Sequence, residues 1–383
     1  AASDVYKRQD NIDYTHIIFV KMKRLIYILS FAIFLQMNAQ TFNSGQKWTD
    51  FHTNKNALSH PVPTNIQKNF DIAINEISQM LKREKPLSFK RAVFLVENAY
   101  CEGKMSWEDY NNEILRIKPI LNKMIDNRNL RQYKTAGNWA VFTYMSDSIP
   151  ENNFKPYQYD FENFMSDSDL ESSLVSRLLK TKRGNCRSLP FLYKILANEV
   201  NVEAFIAIAP MHCYVKHRDE KGNWWNLEMT TGSFSRSSFI METFNVSEIA
   251  IESGLFMKSL SDIESVAYCI CDLLNYYEYK TGRYSDDFIR KCYSIGLQYY
   301  PNSQLQTNKG NDLKFRLDSK IIDMGLKGYR DIINYPELMR EFEAMDSTFQ
   351  YLSKIGYSTI KPEDYEKMVN DIKVKQTKLN TEK

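Results

Sequence analysis

The sequence lacks the short motifs that identify most nucleotide-dependent and serine-dependent enzymes. No GxSxG, P-loop or GxGxxG pattern is present, so neither a nucleophilic-serine turn nor a glycine-rich phosphate-binding loop is indicated. No two cysteines are spaced CxxC, and the 6 cysteines fit no zinc pattern and are too few for a disulfide framework at this length. Any chemistry must therefore come from single side chains that folding brings together.

An excess of charge of one sign is also missing. The 50 Lys and Arg residues nearly balance the 47 Asp and Glu residues, which leaves a net charge of +3 over 383 residues. A charge this small gives no electrostatic footprint for nucleic acid, so no nucleic-acid partner is expected. The hydrophobic fraction of 43%, with 24 tyrosines and 22 phenylalanines, predicts a packed globular fold instead.

Long apolar runs are absent except for a short one near the start. Residues 22–39 begin with methionine and two basic residues, continue through the apolar stretch Leu25–Leu35 and end at Ala39. This pattern predicts a secretory signal peptide, cleavage after Ala39, and a periplasmic or secreted mature chain. An uncleaved anchor is the alternative, but the run is short for a span of about 20 residues. We therefore expect no stable membrane span after cleavage.

The remaining sequence predicts three regions around this signal. Residues 40–136 predict an N-terminal helical region, residues 137–265 a mixed helix-and-strand core, and residues 266–383 a C-terminal helical region. Residues 1–21 show no clear element and are expected to be a non-native leader.

Two helical features support the outer regions. In the N-terminal region, Ser88 and Ser106 are expected to cap helices, and one helical stripe is formed by Ile66, Phe70, Ile74, Ile77 and Leu81. The C-terminal region is similar to a tetratricopeptide repeat at Gly282, Tyr284, Tyr293, Gly296 and Pro301. Helical hairpins that cover the core are the alternative there. The tail from 373 is polar and is expected to fray.

The stretch "KRGNCRSLPFLYKIL", residues 182–196, places a thiol at the start of a predicted helix. Asn185 or Cys186 can cap that helix, and Pro190 is tolerated in its first turn. Free N–H groups at a helix start favour a thiolate at Cys186 and can bind an oxyanion. An inert, buried cysteine is the alternative.

Two downstream segments contain candidate partners for this thiol. If "HCYVK" and "WWNLE" form a hairpin, matching faces place Tyr214 opposite Asn226, Lys216 opposite Trp224, and His212 opposite Glu228. Glu228 could then orient the imidazole of His212, which would accept the proton of Cys186.

These residues together resemble the transglutaminase-like superfamily of papain-like thiol enzymes. The resemblance rests on "GNC", "APMH" and "WWNLEMT" and covers roughly residues 137–235. It implies Cys186 as nucleophile, His212 as base, and Trp224, Glu228 and Thr230 on the family's Trp, Asp and Thr positions. Glutamate in place of aspartate is a departure, and Asn226 on the same face could orient the imidazole instead.

The resemblance implies an α+β fold, in which a helix packs on an antiparallel sheet between the two helical regions. It also implies acyl transfer on amide or peptide substrates, by a peptidase, amidase or transglutaminase, with the Cys186 backbone N–H and the Asn185 side chain stabilising the oxyanion. The substrate would be a peptide or protein, with cell-envelope proteins as candidates because of export. No metal or organic cofactor is needed.

Other interpretations stay open at this point. The core could be a non-catalytic peptide- or protein-binding module with a vestigial triad, or the C-terminal helices could form a scaffold for a protein partner. A metal site built from His212, Cys213 and His217 is disfavoured, because no further ligand is suitably spaced.

Overall fold

The computed structural model describes residues 61–164 and 169–381. The expected leader 1–21 and signal peptide 22–39 lie outside the described residues. All described residues fall within one compact unit, Asn56–Lys383. Three 3-10 turns occur at Pro150–Asn152, Glu171–Ser173 and Asp331–Asn334.

Within the described residues the chain is α+β and mainly helical, as the sequence predicts. The helices are α1 Thr64–Leu81, α2 Phe89–Tyr100, α3 Trp107–Asn127, α4 Ala136–Ser146, α5 Val175–Thr181, α6 Ser188–Glu199, α7 Ser237–Thr243, α8 Glu248–Glu252, α9 Asp262–Thr281, α10 Asp287–Tyr299, α11 Leu305–Asp323, α12 Pro336–Lys354 and α13 Pro362–Thr381. The strands are β1 Gln158–Tyr159, β2 Arg183–Gly184, β3 Phe205–Ala209, β4 His212–Arg218, β5 Trp224–Glu228 and β6 Ser233–Ser235.

The N-terminal helices form as the sequence pattern predicts. Ser88 accepts a hydrogen bond from the backbone N–H of Arg91, and Ser106 accepts one from that of Asp109, so both predicted caps are confirmed. The predicted stripe on α1 is buried from Phe70 to Leu81. Helix α9 packs against both α1 and α2, which joins the N-terminal helices to the C-terminal region.

A four-stranded antiparallel sheet lies at the centre of the chain, in the order β3-β4-β5-β6. Helix α6 packs against β3 and β4, and α9 also reaches β3. Because helices approach β3, four consecutive residues of that strand, 206–209, are all buried instead of alternating. The helix that follows Cys186 and the strand that begins with His212 are thereby held together.

The predicted register of the β4–β5 hairpin is wrong by two residues. Lys216 lies opposite Asn226, and Arg218 opposite Trp224. The turn sets this register: the Asp219 N–H donates to the Asn223 carbonyl, which closes a loop of only three residues. A shift of two preserves the faces, because side chains alternate with period two.

A tight turn precedes strand β4. Ala209 pairs with His212, so Pro210 and Met211 form a two-residue loop between β3 and β4. Met211 adopts a left-handed backbone with φ 56, where a non-glycine residue is strained. Strand β4 therefore begins directly after this loop, at His212.

Helix α5 is short, and a side chain from another helix caps it. The helix spans Val175–Thr181 and is preceded by the 3-10 turn Glu171–Ser173. The carboxylate of Glu97 on α2 accepts hydrogen bonds from the N–H groups of Val175 at 2.6 Å and Ser176 at 2.9 Å. This distant side chain caps the helix, which a local sequence pattern cannot reveal.

The C-terminal region consists of helices α9 to α13, and the polar tail stays helical to Thr381 instead of fraying from residue 373. The tetratricopeptide likeness stays a prediction, as do the region boundaries. Across residues 61–164 and 169–381, no helix combines the length and apolar character needed to span a bilayer.

Candidate active site

Cys186 lies in the loop that caps α6, two residues before the first helical residue. The side-chain oxygen of Asn185 accepts hydrogen bonds from the N–H groups of Arg187 at 2.9 Å and Ser188 at 3.3 Å. Asn185, one of the two residues predicted to cap, is thus the cap. Cys186 as a residue is partly exposed.

The backbone before the thiol is braced from both sides. Ser188 Oγ donates to the Ser172 carbonyl at 2.7 Å and accepts from the Asn185 N–H at 3.1 Å. A Cβ added to Gly184 would meet Ser188 Oγ at 2.2 Å. Glycine at 184 therefore allows the close approach that fixes the position of Cys186.

His212 and Glu228 form the second half of the site. His212 Nε2 and Glu228 Oε2 are 2.8 Å apart, and both side chains are buried. Thr230 Oγ1 donates to the same carboxylate oxygen at 3.4 Å. The carboxylate thus fixes the imidazole through Nε2.

The other ring nitrogen is left for the thiol. His212 Nδ1 is buried and forms no hydrogen bond of good geometry to any described residue, while the imidazole interacts with the Cys186 thiol. Phe244 stacks on the imidazole with ring centroids 4.3 Å apart and planes 12° apart, which holds the ring orientation. This places a fixed imidazole between a thiol and a carboxylate.

The electrostatics of the site favour an ion pair. Burial opposes ionisation of Cys186, but the neighbouring imidazole of His212 outweighs this effect and lowers the thiol pKa. Burial likewise disfavours the charged form of His212, but the Glu228 carboxylate and the Cys186 thiol raise its pKa. Thiolate and imidazolium therefore stabilise each other.

The other cysteines show the opposite behaviour. Burial raises the thiol pKa of each of them, and four of the five are fully enclosed; they are Cys101, Cys213, Cys269, Cys271 and Cys292. Cys213, Cys269 and Cys271 are core residues. Cys186 is thus the one cysteine whose surroundings lower the thiol pKa.

A mostly buried ion pair anchors the start of α6. Arg187 Nε donates to Asp272 Oδ2 of α9 at 2.8 Å, and the guanidinium lies 4.4 Å from the ring centre of Phe191 and 4.2 Å from that of Tyr268. The Arg187 charge also contributes to lowering the Cys186 pKa. The pair ties the thiol loop to the C-terminal helices.

Two cavities flank His212. One, of about 380 Å³, lies on the side of Glu228 and Phe244 and includes Phe239. The other, of about 370 Å³, lies on the side of Cys186 and includes Asp272. Substrate groups on either side of a scissile bond would fit this arrangement.

Three other predicted site residues lie away from the thiol or have a different role: Asn226, Trp224 and Asn185. Asn226 Nδ2 donates to the Ser235 carbonyl and to Ser237 Oγ, so it does not orient His212. Trp224 lies 47% exposed at the far end of β5, against Phe205. Because the observed register differs from the predicted one by two residues, Asn226 and Trp224 both lie farther from the thiol than predicted.

Asn185 is engaged by the backbone and not directed at an oxyanion. Its oxygen caps α6, and Nδ2 points to the Phe164 carbonyl at 3.4 Å. Sequence reasoning also missed two residues that contact the pair, Phe244 and Tyr365. Neither lies in a spacing pattern with the thiol, because tertiary packing alone brings them there.

Comparison of the chain with protein-family models, curated proteins and solved structures found no match. In the part of the chain that the structure describes, no three His, Cys, Asp or Glu side chains cluster in a way that could hold a metal ion.

Proposed function

We propose that the chain is an exported enzyme that performs thiol-dependent acyl transfer on amide or peptide bonds through Cys186, His212 and Glu228. The observation that supports this most is the imidazole of His212 fixed between the thiol of a partly exposed Cys186 and a buried carboxylate. This is the arrangement by which proteins activate a cysteine nucleophile.

The first step would form an acyl-enzyme. The thiolate of Cys186 attacks the carbonyl carbon, so that an S–C bond forms and the carbonyl π electrons move to oxygen. His212, as imidazolium, then donates its Nδ1 proton to the amide nitrogen. The electron pair on oxygen re-forms the C=O bond while the C–N bond breaks, so that the amine leaves and a thioester remains on Cys186. The backbone N–H of Cys186, at the start of α6, is a candidate donor to the oxyanion.

The second step would regenerate the thiol site. His212 Nδ1 accepts a proton from water or an amine, whose oxygen or nitrogen attacks the thioester carbon, and the C–S bond breaks to release the thiolate. Water gives hydrolysis, as in a peptidase or amidase. An amine gives a new amide, as in a transglutaminase. Glu228 keeps Nε2–H directed at its carboxylate in both steps.

A transglutaminase-like, papain-like core is part of this proposal. The order of parts supports it: a helix that begins just after the cysteine, the histidine at the head of β4, and the acidic residue at the end of the neighbouring β5. Because Glu228 reaches His212 diagonally, the extra methylene of glutamate supplies the needed length.

The proposed substrate is a peptide or protein of the cell envelope. Its support is the signal pattern of residues 22–39. A mass measurement on the exported protein should find Gln40 as the first residue, and retention of residues 22–39 would contradict export by cleavage.

The test of the function is selective alkylation. The mature protein is treated with iodoacetamide at pH 6, and each cysteine is followed by peptide mass mapping. We expect Cys186 to react at least tenfold faster than any other cysteine, because only its environment favours the thiolate. The His212→Ala variant should lose this selectivity.

A matched control uses the other buried histidine of β4. His217 lies on the opposite face of the strand, so His217→Ala should retain fast alkylation of Cys186. If Cys186 reacts no faster than the other thiols in the unaltered protein, the chain is better described as a non-catalytic peptide- or protein-binding module with a vestigial core.

A further inference from the structure

The C-terminal helix α13 reaches the proposed catalytic thiol. Most of its described side chains are exposed, and many are charged, but Tyr365 and Val369 are each only 3% exposed. The two residues are four apart and so lie on one helical face. Both line the cavity beside His212, together with Phe161 and Phe244.

The hydroxyl of Tyr365 contacts the nucleophile itself. Tyr365 Oη donates to Cys186 Sγ at 3.4 Å, across 179 residues of chain. It also interacts with the hydroxyl of Tyr159, which comes from β1. Burial raises the pKa of both phenols, so both keep their protons. A neutral phenol of this kind can donate a hydrogen bond but does not give up its proton.

The thiol form and the thiolate form of Cys186 would hydrogen bond to different partners. The Cys186 S–H can donate to the Met211 carbonyl at 3.8 Å, whereas a thiolate has no proton to donate and must accept. Tyr365 is positioned as a donor to that thiolate, next to His212. A donor this close to the attacking sulfur can also reach the oxygen of a carbonyl bonded to that sulfur.

We infer that Tyr365, delivered by α13, is a fourth catalytic residue that donates a hydrogen bond to the Cys186 thiolate and then to the oxyanion. The inference rests on the proposed function. When the S–C bond forms and the carbonyl π electrons move to oxygen, the phenol hydrogen bonds to that oxygen while its O–H bond stays intact. Tyr365 thereby takes the side-chain donor role that the sequence assigned to Asn185, whose amide is engaged elsewhere.

The experiment measures how fast iodoacetamide alkylates Cys186 as a function of pH in the full chain. Groups that interact with the thiol are His212, Tyr365, Tyr159, Arg187 and Cys213, and only Tyr365 is changed. Tyr365→Phe keeps the ring and removes the hydroxyl. We expect the midpoint of the pH profile to rise by about one pH unit and the rate at pH 6 to fall about tenfold.

A matched control removes a different buried hydroxyl. Tyr193 is fully buried on α6 and donates to the Asn138 carbonyl, so Tyr193→Phe should leave the midpoint unchanged. A second pair of variants tests whether the packing of α13 brings Tyr365 to the thiol. Val369→Asp should displace α13 and repeat the effect of Tyr365→Phe, whereas Val374→Asp, at a site 53% exposed on the same helix, should not.

Three results would overturn the inference. An unchanged midpoint in Tyr365→Phe, with Cys186 still selectively reactive in the unaltered protein, would remove Tyr365 from the mechanism and leave the proposed function standing. Faster alkylation in both Tyr365→Phe and Val369→Asp would show that α13 blocks the thiol. A Cys186 that titrates like the other thiols in the unaltered protein would overturn the proposed function itself.

Discussion

His212 and Glu228 are hydrogen bonded at 2.8 Å although the β4–β5 ladder does not place them directly opposite each other. Extending the ladder past the pair Val215–Leu227 puts Glu228 beside Tyr214, with His212 two residues further along. The long glutamate side chain spans this diagonal. The carboxylate thus takes Nε2 and leaves Nδ1 for the thiol.

The charge of Glu228 should determine the reactivity of the thiol. In Glu228→Gln the acceptor oxygen remains but the charge that raises the His212 pKa is lost. A less basic imidazole stabilises the Cys186 thiolate less, so the alkylation midpoint should rise and the rate at pH 6 should fall about tenfold or more. Glu203→Gln, which breaks the exposed pair with Arg218, is the control. Identical profiles for both variants would contradict the assigned role of Glu228.

Gly184 should not tolerate a side chain. In Gly184→Ala the new Cβ would collide with Ser188 Oγ, which two hydrogen bonds hold in place. Urea unfolding should show a loss of about 1–3 kcal/mol, and alkylation of Cys186 should slow because its loop shifts. Gly325→Ala meets open space but is strained by the left-handed backbone at φ 68, so it should cost stability and leave alkylation unchanged. Fast alkylation in Gly184→Ala would mean that the brace does not position the thiol.

Removing Asp272 should destabilise the fold strongly. The guanidinium of Arg187 would keep its charge in a mostly buried position with its partner gone. Asp272→Ala should reduce the free energy of unfolding by about 3 kcal/mol or more, measured by urea denaturation. Asp287→Ala removes a fully exposed partner of Arg290 and should cost less than about 1 kcal/mol. Equal losses in the two variants would show that burial of the Arg187 pair is unimportant.

Glu97 should make stability depend on pH. Burial raises its pKa to about 7, against hydrogen bonds from Ser176 and Val175 that lower it. Between pH 4.5 and 7 the folded state holds a proton that the unfolded state has released, so stability should fall as pH rises, by about 3 kcal/mol in total.

Urea unfolding at pH 5 and pH 8 checks this dependence. The Glu97→Gln variant cannot ionise at this position, so the stability difference between the two pH values should shift by about 3 kcal/mol relative to the unaltered protein. Glu84→Gln, at an exposed site, should keep the original difference. A Glu97→Gln variant with the original difference would show that Glu97 is ionised throughout this range.

Local patterns were enough to predict several elements. The caps at Ser88 and Ser106 and the apolar stripe of α1 depend on neighbours within one or two turns, so the sequence alone reveals them. The same holds for the helix after Cys186. Two features could not be predicted from local patterns. The cap of α5 is Glu97 on another helix. The three-residue loop between β4 and β5 gives a register that differs from the predicted one by two residues.

The amino-acid pattern was sufficient to show which residue types could meet. Period two fixed His212 and Glu228 on one face, and a register error of two could not separate them because it preserves faces. Tertiary structure alone decided which other groups reach the thiol. Tyr365 lies 179 residues from Cys186 on a helix whose sequence is largely polar. Its approach depends on how that helix packs, and packing free energy is spread over many distant contacts that no local pattern records.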